Sequence, residues 1–267
     1  MKKVLSLALA IIMIAMCACA FSSCGKEEEK KLVMATNAAF PPYEYMEGDK
    51  IVGIDAEIAA EIAKKLDMTL EIQDVDFGAI IAGVQSAKYD IGMAGMTVTD
   101  ERKQSVNFSD TYAKGIQSVI VKSDSPYTSF EDFYTEMDAE GNPVATKEGI
   151  KIGVQQDTTG DIYSSDKPAK WGFGEENVIR YKTGNEAVLA LQSGKVTAVI
   201  IDNEPAKSFV KSNDGLKILE GTYTDEDYAI CIAKENTELL EKINSALKEL
   251  KEDGTIDKIV NKYIPAE

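Results

Sequence analysis

The chain has 267 residues, 44% of them hydrophobic, and a formal net charge of −16 with no histidine. This length holds one large domain or two smaller ones with real cores. The acidic balance argues against nucleic acid as a partner. The lack of histidine excludes Ser-His-Asp hydrolysis, histidine acid–base chemistry and His ligation of a metal, so no metal and no other cofactor is expected.

The N-terminus reads as an export signal over 1–23: Lys2 and Lys3 precede the apolar run Val4 to Ala20, and Phe21-Ser22-Ser23 leads into Cys24. Small residues just before a cysteine resemble the cleavage box of bacterial lipoproteins, which makes Cys24 the expected lipidation site. Residues 24–31 then form a charged tether with nothing to pack. Cys17 and Cys19 leave with the signal, so Cys231 alone remains in the folded part, in the apolar run Tyr228 to Ala233, where it suits a buried small hydrophobe.

Leu32 to Thr36 reads as a short strand, followed by an extended, proline-held loop, Asn37-Ala38-Ala39-Phe40-Pro41-Pro42-Tyr43-Glu44-Tyr45. Ile58, Ile62 and Leu66 recur every four residues, as on an amphipathic helix. Thr69 to Val75 is the next strand, Phe77 to Ala87 the next helix, and Tyr89 to Ala94 a third strand. This rhythm predicts a parallel sheet covered by helices, with ligands beyond the carboxyl ends of the strands. Asn37, Phe40, Phe77, Gly95 and Thr97 all follow predicted strands.

The stretch Gly92 to Tyr112, GMAGMTVTDERKQSVNFSDTY, carries the strongest chemical signal. A Gly-rich turn is followed by Thr99-Asp100-Glu101, which supplies a cap and first-turn acids for a helix that places Arg102 at its start. A guanidinium there can clamp an anion, because fork geometry and helix dipole act together. A surface ion pair is the competing reading of Arg102.

A second series follows: strand Gln117 to Lys122, an irregular stretch Tyr127 to Gly149 that nothing assigns a role, and strand Lys151 to Gln155. The polar turn Gln156 to Gly160, which contains Thr159, then opens a helix. Val178 to Tyr181 is a strand, Asn185 to Gln192 a helix, and Val196 to Ile201 a buried strand that ends at Asp202. That carboxylate is either a ligand group or a cap of the following helix. Leu216 to Leu219 and Tyr228 to Ala233 read as strands around an acidic turn, Thr224 to Asp227, and the end is helical. The expected class is α/β in two lobes.

Together these residues resemble the bacterial extracellular solute-binding proteins of polar amino-acid ABC transporters. The resemblance runs from Leu32 to Tyr263 through ATNAAFPPYEY, GIDAEIAAEIAKKL, FGAIIAGVQSAKYDIGMAGMTVTDERKQSVNFSDTY, IGVQQDTTG and AVIIDNEPA. It implies two mixed sheets flanked by helices and a hinge of two crossing strands, with lobe 1 over 32–115 and 221–267 and lobe 2 over 116–220. It also implies an amino acid held between the lobes, no bond-making chemistry, and delivery to an ABC transporter permease by a monomer anchored to the outer face of the membrane. A lyase or a sensory domain on the same fold is the rival.

By the same resemblance, Arg102 takes the ligand carboxylate with the N–H groups of Thr97 and Thr159. Gly95, Thr97 and Asp202 take the ammonium, and Phe40 and Phe77 stack on the side chain. Asn37 stands where binders of basic amino acids often have Asp. With Gln155 on the opposite rim it suits a neutral polar side chain, a basic one being the alternative if Glu44 turns inward.

Overall fold

The computed structural model describes residues 30–221 and 223–265. The expected signal peptide, Cys24 and most of the expected tether lie outside the described residues. No helix among the described residues is long and apolar enough to cross a membrane.

The first strands are β1 (Lys31–Thr36), β2 (Ala39–Phe40), β3 (Glu44–Glu47) and β4 (Lys50–Val52), followed by helix α1 (Ile54–Lys65) and β5 (Thr69–Asp74). A 3-10 turn at Phe77–Ala79 runs into α2 (Ile80–Gln85), and β6 (Ile91–Gly92), α3 (Arg102–Ser105) and β7 (Val106–Phe108) complete the first part. The second contains β8 (Ala113–Lys122), β9 (Ile152–Gln155), α4 (Thr159–Ser165), β10 (Val178–Tyr181), α5 (Gly184–Gln192), β11 (Ala198–Asp202), α6 (Asn203–Ser212) and β12 (Leu216–Ile218). The chain ends through β13 (Thr224–Tyr228), β14 (Cys231–Ala233), α7 (Thr237–Glu252) and α8 (Thr255–Tyr263).

Two mixed sheets organise these elements. One has the order β5-β1-β6-β14-β7, the other β10-β9-β11-β8-β12 with β13 also paired to β8. The series β5-β1-β6 and β10-β9-β11 are parallel, as the strand–helix rhythm predicts, whereas β14 and β8 join antiparallel. β13 lies antiparallel to the start of β8, Thr224 opposite Gln117 and Tyr228 opposite Ala113. These two paired strands carry the chain between the sheets, outward along β8 and back along β13, and the fold is two-lobed.

The predicted helix faces are the buried ones. Ile58 and Ile62 of α1 are fully buried, and Ile243, Leu247 and Leu250 of α7 join the same core. Burying each such side chain contributes about 1.5–3 kcal/mol, more than weak local preferences can oppose. Cys231 is a fully buried free thiol.

Two local readings need correction. Asn37 to Tyr45 is not simply an extended loop, because β2, β3 and β4 form a small antiparallel sheet in which Phe40 is the register partner of Glu44. Thr224 to Asp227 is strand rather than turn. Alternation puts Glu226 and Tyr228 inside and Asp225 and Asp227 outside, and the ladder to β8 overrides the low strand preference of acids. Tyr127 to Gly149 contains a 3-10 turn capped by Ser129 and Asp132, then a short hairpin bridged at Tyr134–Thr146 and Met137–Pro143. Its Tyr127, Phe130, Phe133 and Tyr134 pack with Trp171, Phe173 and Tyr223 against the second sheet.

Candidate functional site

Asn37, Phe40, Phe77, Gly95, Thr97, Arg102, Gln155, Thr159 and Asp202 line a single cavity of about 300 Å³, joined by Glu44, Ala94 and Thr158. The cavity lies at carboxyl ends of strands from both sheets. β1 leads into Asn37, β6 into Gly95 and Thr97, β9 ends at Gln155 and β11 at Asp202.

Arg102 is 7% exposed, so it is not a surface group. Its Nη1 donates to the Thr97 carbonyl at 2.8 Å and its Nη2 to the Asp157 carbonyl at 3.0 Å, while the guanidinium lies 5.3 Å from the Phe77 ring centre. No carboxylate among the described residues forms an ion pair with it, which removes the surface-ion-pair reading. Thr99 Oγ1 accepts from the Arg102 N–H at 3.1 Å, the cap that the sequence suggests. Burial lowers the Arg102 pKa, opposed chiefly by the charge of Glu226, so the guanidinium is a desolvated cation suited to an anionic partner.

Asp202 ends β11 and precedes α6, yet its side chain makes no cap hydrogen bond. It instead accepts from the Tyr228 hydroxyl, inside the molecule. Burial first, and then the charge of Glu226, raise its pKa well above the usual carboxylate range, and the Tyr228 hydroxyl works against them. A cation beside it would offset that desolvation.

Thr97 and Thr159 approach through their hydroxyls, 3.4 Å apart, and both are buried. Gly95 is in the left-handed region at φ +50, and a methyl there would meet Phe40 Cε1 at 2.8 Å, so turn and packing both require glycine. Its N–H donates to Asp55 Oδ2 at 2.8 Å. Phe40 is buried and Phe77 half-buried.

Asn37 and Gln155 do not simply face the cavity. Gln155 Nε2 donates to Asn37 Oδ1 at 2.9 Å, and Asn37 Nδ2 donates to the Val75 carbonyl at 2.8 Å. The two amides therefore tie the sheets together.

Glu44 is fully buried in the cavity wall, where no N–H or hydroxyl donor among the described residues reaches its oxygens and its hydrogen-bonding neighbour is a second buried acid, Asp55. Burial, then the charge of Asp55, hold its pKa well above the usual range. Asp55, also fully buried, is pushed up to about 6 by burial, against the lowering effect of bonds from Gly95 N–H and the Tyr112 hydroxyl. Asp55 and Glu226 were not singled out in the sequence. The latter accepts from Gln117 Nε2 at 3.0 Å, keeps one oxygen unpartnered, and acts on both Arg102 and Asp202. The alternation of Glu226 with Tyr228 was the signal that could have found it.

Thus one buried guanidinium and two buried carboxyls, Glu44 and Asp202, line a small volume, an arrangement complementary to a zwitterion. A family model described as bacterial extracellular solute-binding proteins, family 3, matches residues 32–266. The chain is similar to the arginine-binding extracellular protein ArtP of Bacillus subtilis (strain 168), with 35% identity over 271 residues and 100% of each chain covered. It is also similar to the solved structure of an ancestral arginine-binding protein bound to arginine, with 39% identity, a TM-score of 0.77, and coverage of 88% of this chain and 99% of that one. The arginine-, lysine-, histidine-binding protein ArtJ from the thermophilic bacterium Geobacillus stearothermophilus aligns with 33% identity and a TM-score of 0.78, covering 89% and 96%. A match across nearly all of the described residues means that the chain belongs to the bacterial extracellular solute-binding proteins of family 3.

Proposed function

We propose that this chain is an exported receptor, lipid-anchored through Cys24 to the outer face of the cell membrane. It closes as a monomer on a free basic amino acid of the arginine class and delivers it to an ABC transporter permease without chemistry of its own. The lobes would be 32–115 with 221–267, and 116–220, bending where β8 and β13 pair. Arg102 would hold the ligand carboxylate with the N–H groups of Thr97 and Thr159. Gly95, Thr97 and Asp202 would hold the ammonium, and Phe40 and Phe77 would enclose the side chain.

The observation that carries the side-chain assignment is Glu44. A buried carboxyl in the cavity wall whose neighbour is a second buried acid, Asp55, is costly to ionise unless a cation meets it. The neutral-polar expectation rested on Asn37 and Gln155, whose amide groups bond each other. The relatives named for arginine support the same choice, whereas a relative with 30% identity is named for glutamine and an ancestral arginine-binding protein was solved with glutamine bound.

A thermal-shift and calorimetric screen of arginine, lysine, histidine, glutamine and serine tests the reading. Arginine or lysine should bind at least about tenfold tighter than glutamine, a difference near 1.4 kcal/mol. A glutamine or serine preference would return the assignment to a neutral side chain, and recovery of an altered ligand would replace the receptor by an enzyme.

A further inference from the structure

Gly95, Thr97 and Asp202, proposed above to hold the ligand ammonium, come from both sheets, and one side chain outside the cavity lining meets all of them. Tyr228 ends β13 and is fully buried. Its backbone forms an antiparallel bridge with Thr97. Its ring lies beneath the Gly95 turn, where a methyl group on Gly95 would stand 3.7 Å from Tyr228 Cε2. Its hydroxyl donates to Asp202 Oδ1, so a residue tied to the turn of the first sheet grips the carboxylate that ends a strand of the second.

The paired strands β8 and β13 are built around this reach. Tyr228 stands opposite Ala113, its carbonyl accepts from the Tyr112 N–H at 2.9 Å, and the Ala229 N–H donates to the Met96 carbonyl at 3.1 Å, which fixes the backbone on both sides. The ring packs edge-on to Tyr43, with centres 5.1 Å apart. It then passes over Gly115 of β8, where a methyl group would overlap Oη and Cζ and stand 2.6 Å from Cε1. Gly115 has no positive φ, so the ring and not the backbone demands glycine. The obstructed group is a fully buried ring packed on Tyr43, and yielding to a methyl group would pull its hydroxyl off Asp202. Burial, then the charge of Asp202, raise the pKa of that hydroxyl well above its ordinary value, which keeps it a donor.

We propose that Tyr228 is a positioning residue for the ligand ammonium: its hydroxyl holds the Asp202 carboxylate in place beside Gly95 and Thr97, and the missing side chain of Gly115 lets the ring reach across. A carboxylate oriented before the ligand arrives has less freedom to lose on binding, and without Tyr228 that cost falls on the ammonium alone. The proposal deepens the reading that Asp202 receives the ammonium and rests on it.

Tyr228→Phe, Gly115→Ala and Asp202→Asn in the full-length protein test it, each titrated by calorimetry with arginine and with its desamino analogue, δ-guanidinovalerate. Tyr228→Phe keeps the ring and loses only the donor, so arginine affinity should fall about tenfold while the analogue binds within about threefold of wild type. A tyrosine that merely fills the core would lose both ligands alike. Gly115→Ala should show the same arginine-specific loss, and adding it to Tyr228→Phe should leave the arginine-to-analogue ratio within about threefold of the single variant, because both changes break one bond. Equal losses for the two ligands in Tyr228→Phe, or no loss for arginine, overturn the positioning role. If Asp202→Asn still weakens arginine more than the analogue, the failure lies with Tyr228 alone. Equal losses in Asp202→Asn, or a wild-type protein that does not bind arginine, overturn the proposal together with the reading on which it rests.

Discussion

Phe40 and Glu44 are register partners across the β2–β3 pair, and this pairing turns both side chains into the cavity wall, one offering a ring face and the other a carboxyl. In an antiparallel pair, partners directly opposite each other point to the same face, so the inward aromatic brings the acid with it. A cationic side chain lying on Phe40 would meet Glu44 at its head.

Glu44→Gln should therefore change selectivity rather than abolish binding. Arginine affinity should fall at least about tenfold while glutamine affinity holds or rises, because an amide no longer needs a cation to offset its burial. Parallel titrations with both amino acids check this. Equal losses for the two would make Glu44 a bracing residue of the small sheet.

Arg102→Ala should remove most binding of any amino acid. The buried guanidinium has no competing ion pair among the described residues, so the loss of a charge-assisted fork costs about 3 kcal/mol or more, over a hundredfold in affinity. Arg102→Lys should recover little of it, since a point charge cannot reproduce the fork. A loss below about threefold in Arg102→Ala, by calorimetry, rejects the clamp.

Asp202→Asn should discriminate between an amino acid and its desamino analogue. Only the amino acid presents an ammonium to the carboxylate held by Tyr228, and its affinity should fall roughly tenfold or more beyond that of the analogue. A common loss for both compounds would assign Asp202 to structure alone.

Arginine binding should release protons and weaken in acid. Burial and the charge of Asp55 raise the pKa of Glu44 well above its ordinary value, and Asp55 titrates at about 6, so the free site retains protons that a cationic side chain displaces. A ligand that prefers the ionised carboxyl is bound best above the raised pKa and loses affinity as pH falls through it. From about pH 8 to about pH 5 the affinity should drop by up to tenfold per unit for each proton released, and glutamine should show less of this dependence. Calorimetry in buffers of different ionisation enthalpy counts the protons directly. No release with arginine would place its head away from this carboxyl pair.

The strand–helix rhythm was legible because periodic burial is a local property. Ile58 and Ile62 mark one face of α1 whatever lies opposite, and a strand followed by a capped turn places Arg102 at a helix start without knowledge of the partner. The nine residues expected at the site each belong to a motif of residue types in chain order, and the cavity brings all of them together.

Pairing across the chain was not legible. Thr224 to Asp227 has the composition of a turn, and becomes β13 only because β8 offers it a hydrogen-bonding edge. That ladder buries Glu226 next to Asp202 and Arg102. The same limit explains Asn37 and Gln155, whose amides suit a polar ligand until a separation of 118 positions is closed and they bond each other.

The sequence by itself determined the α/β class, the helix faces and the residue types that a zwitterion requires, since these follow from periodicity and from the chemistry of single side chains. Only the tertiary structure decided which polar groups are spent on one another and which, like Glu44 beside Asp55, are left buried with another acid and no N–H or hydroxyl donor of their own. Satisfaction of a hydrogen bond depends on distances between distant segments, and those distances exist only once both sheets have formed.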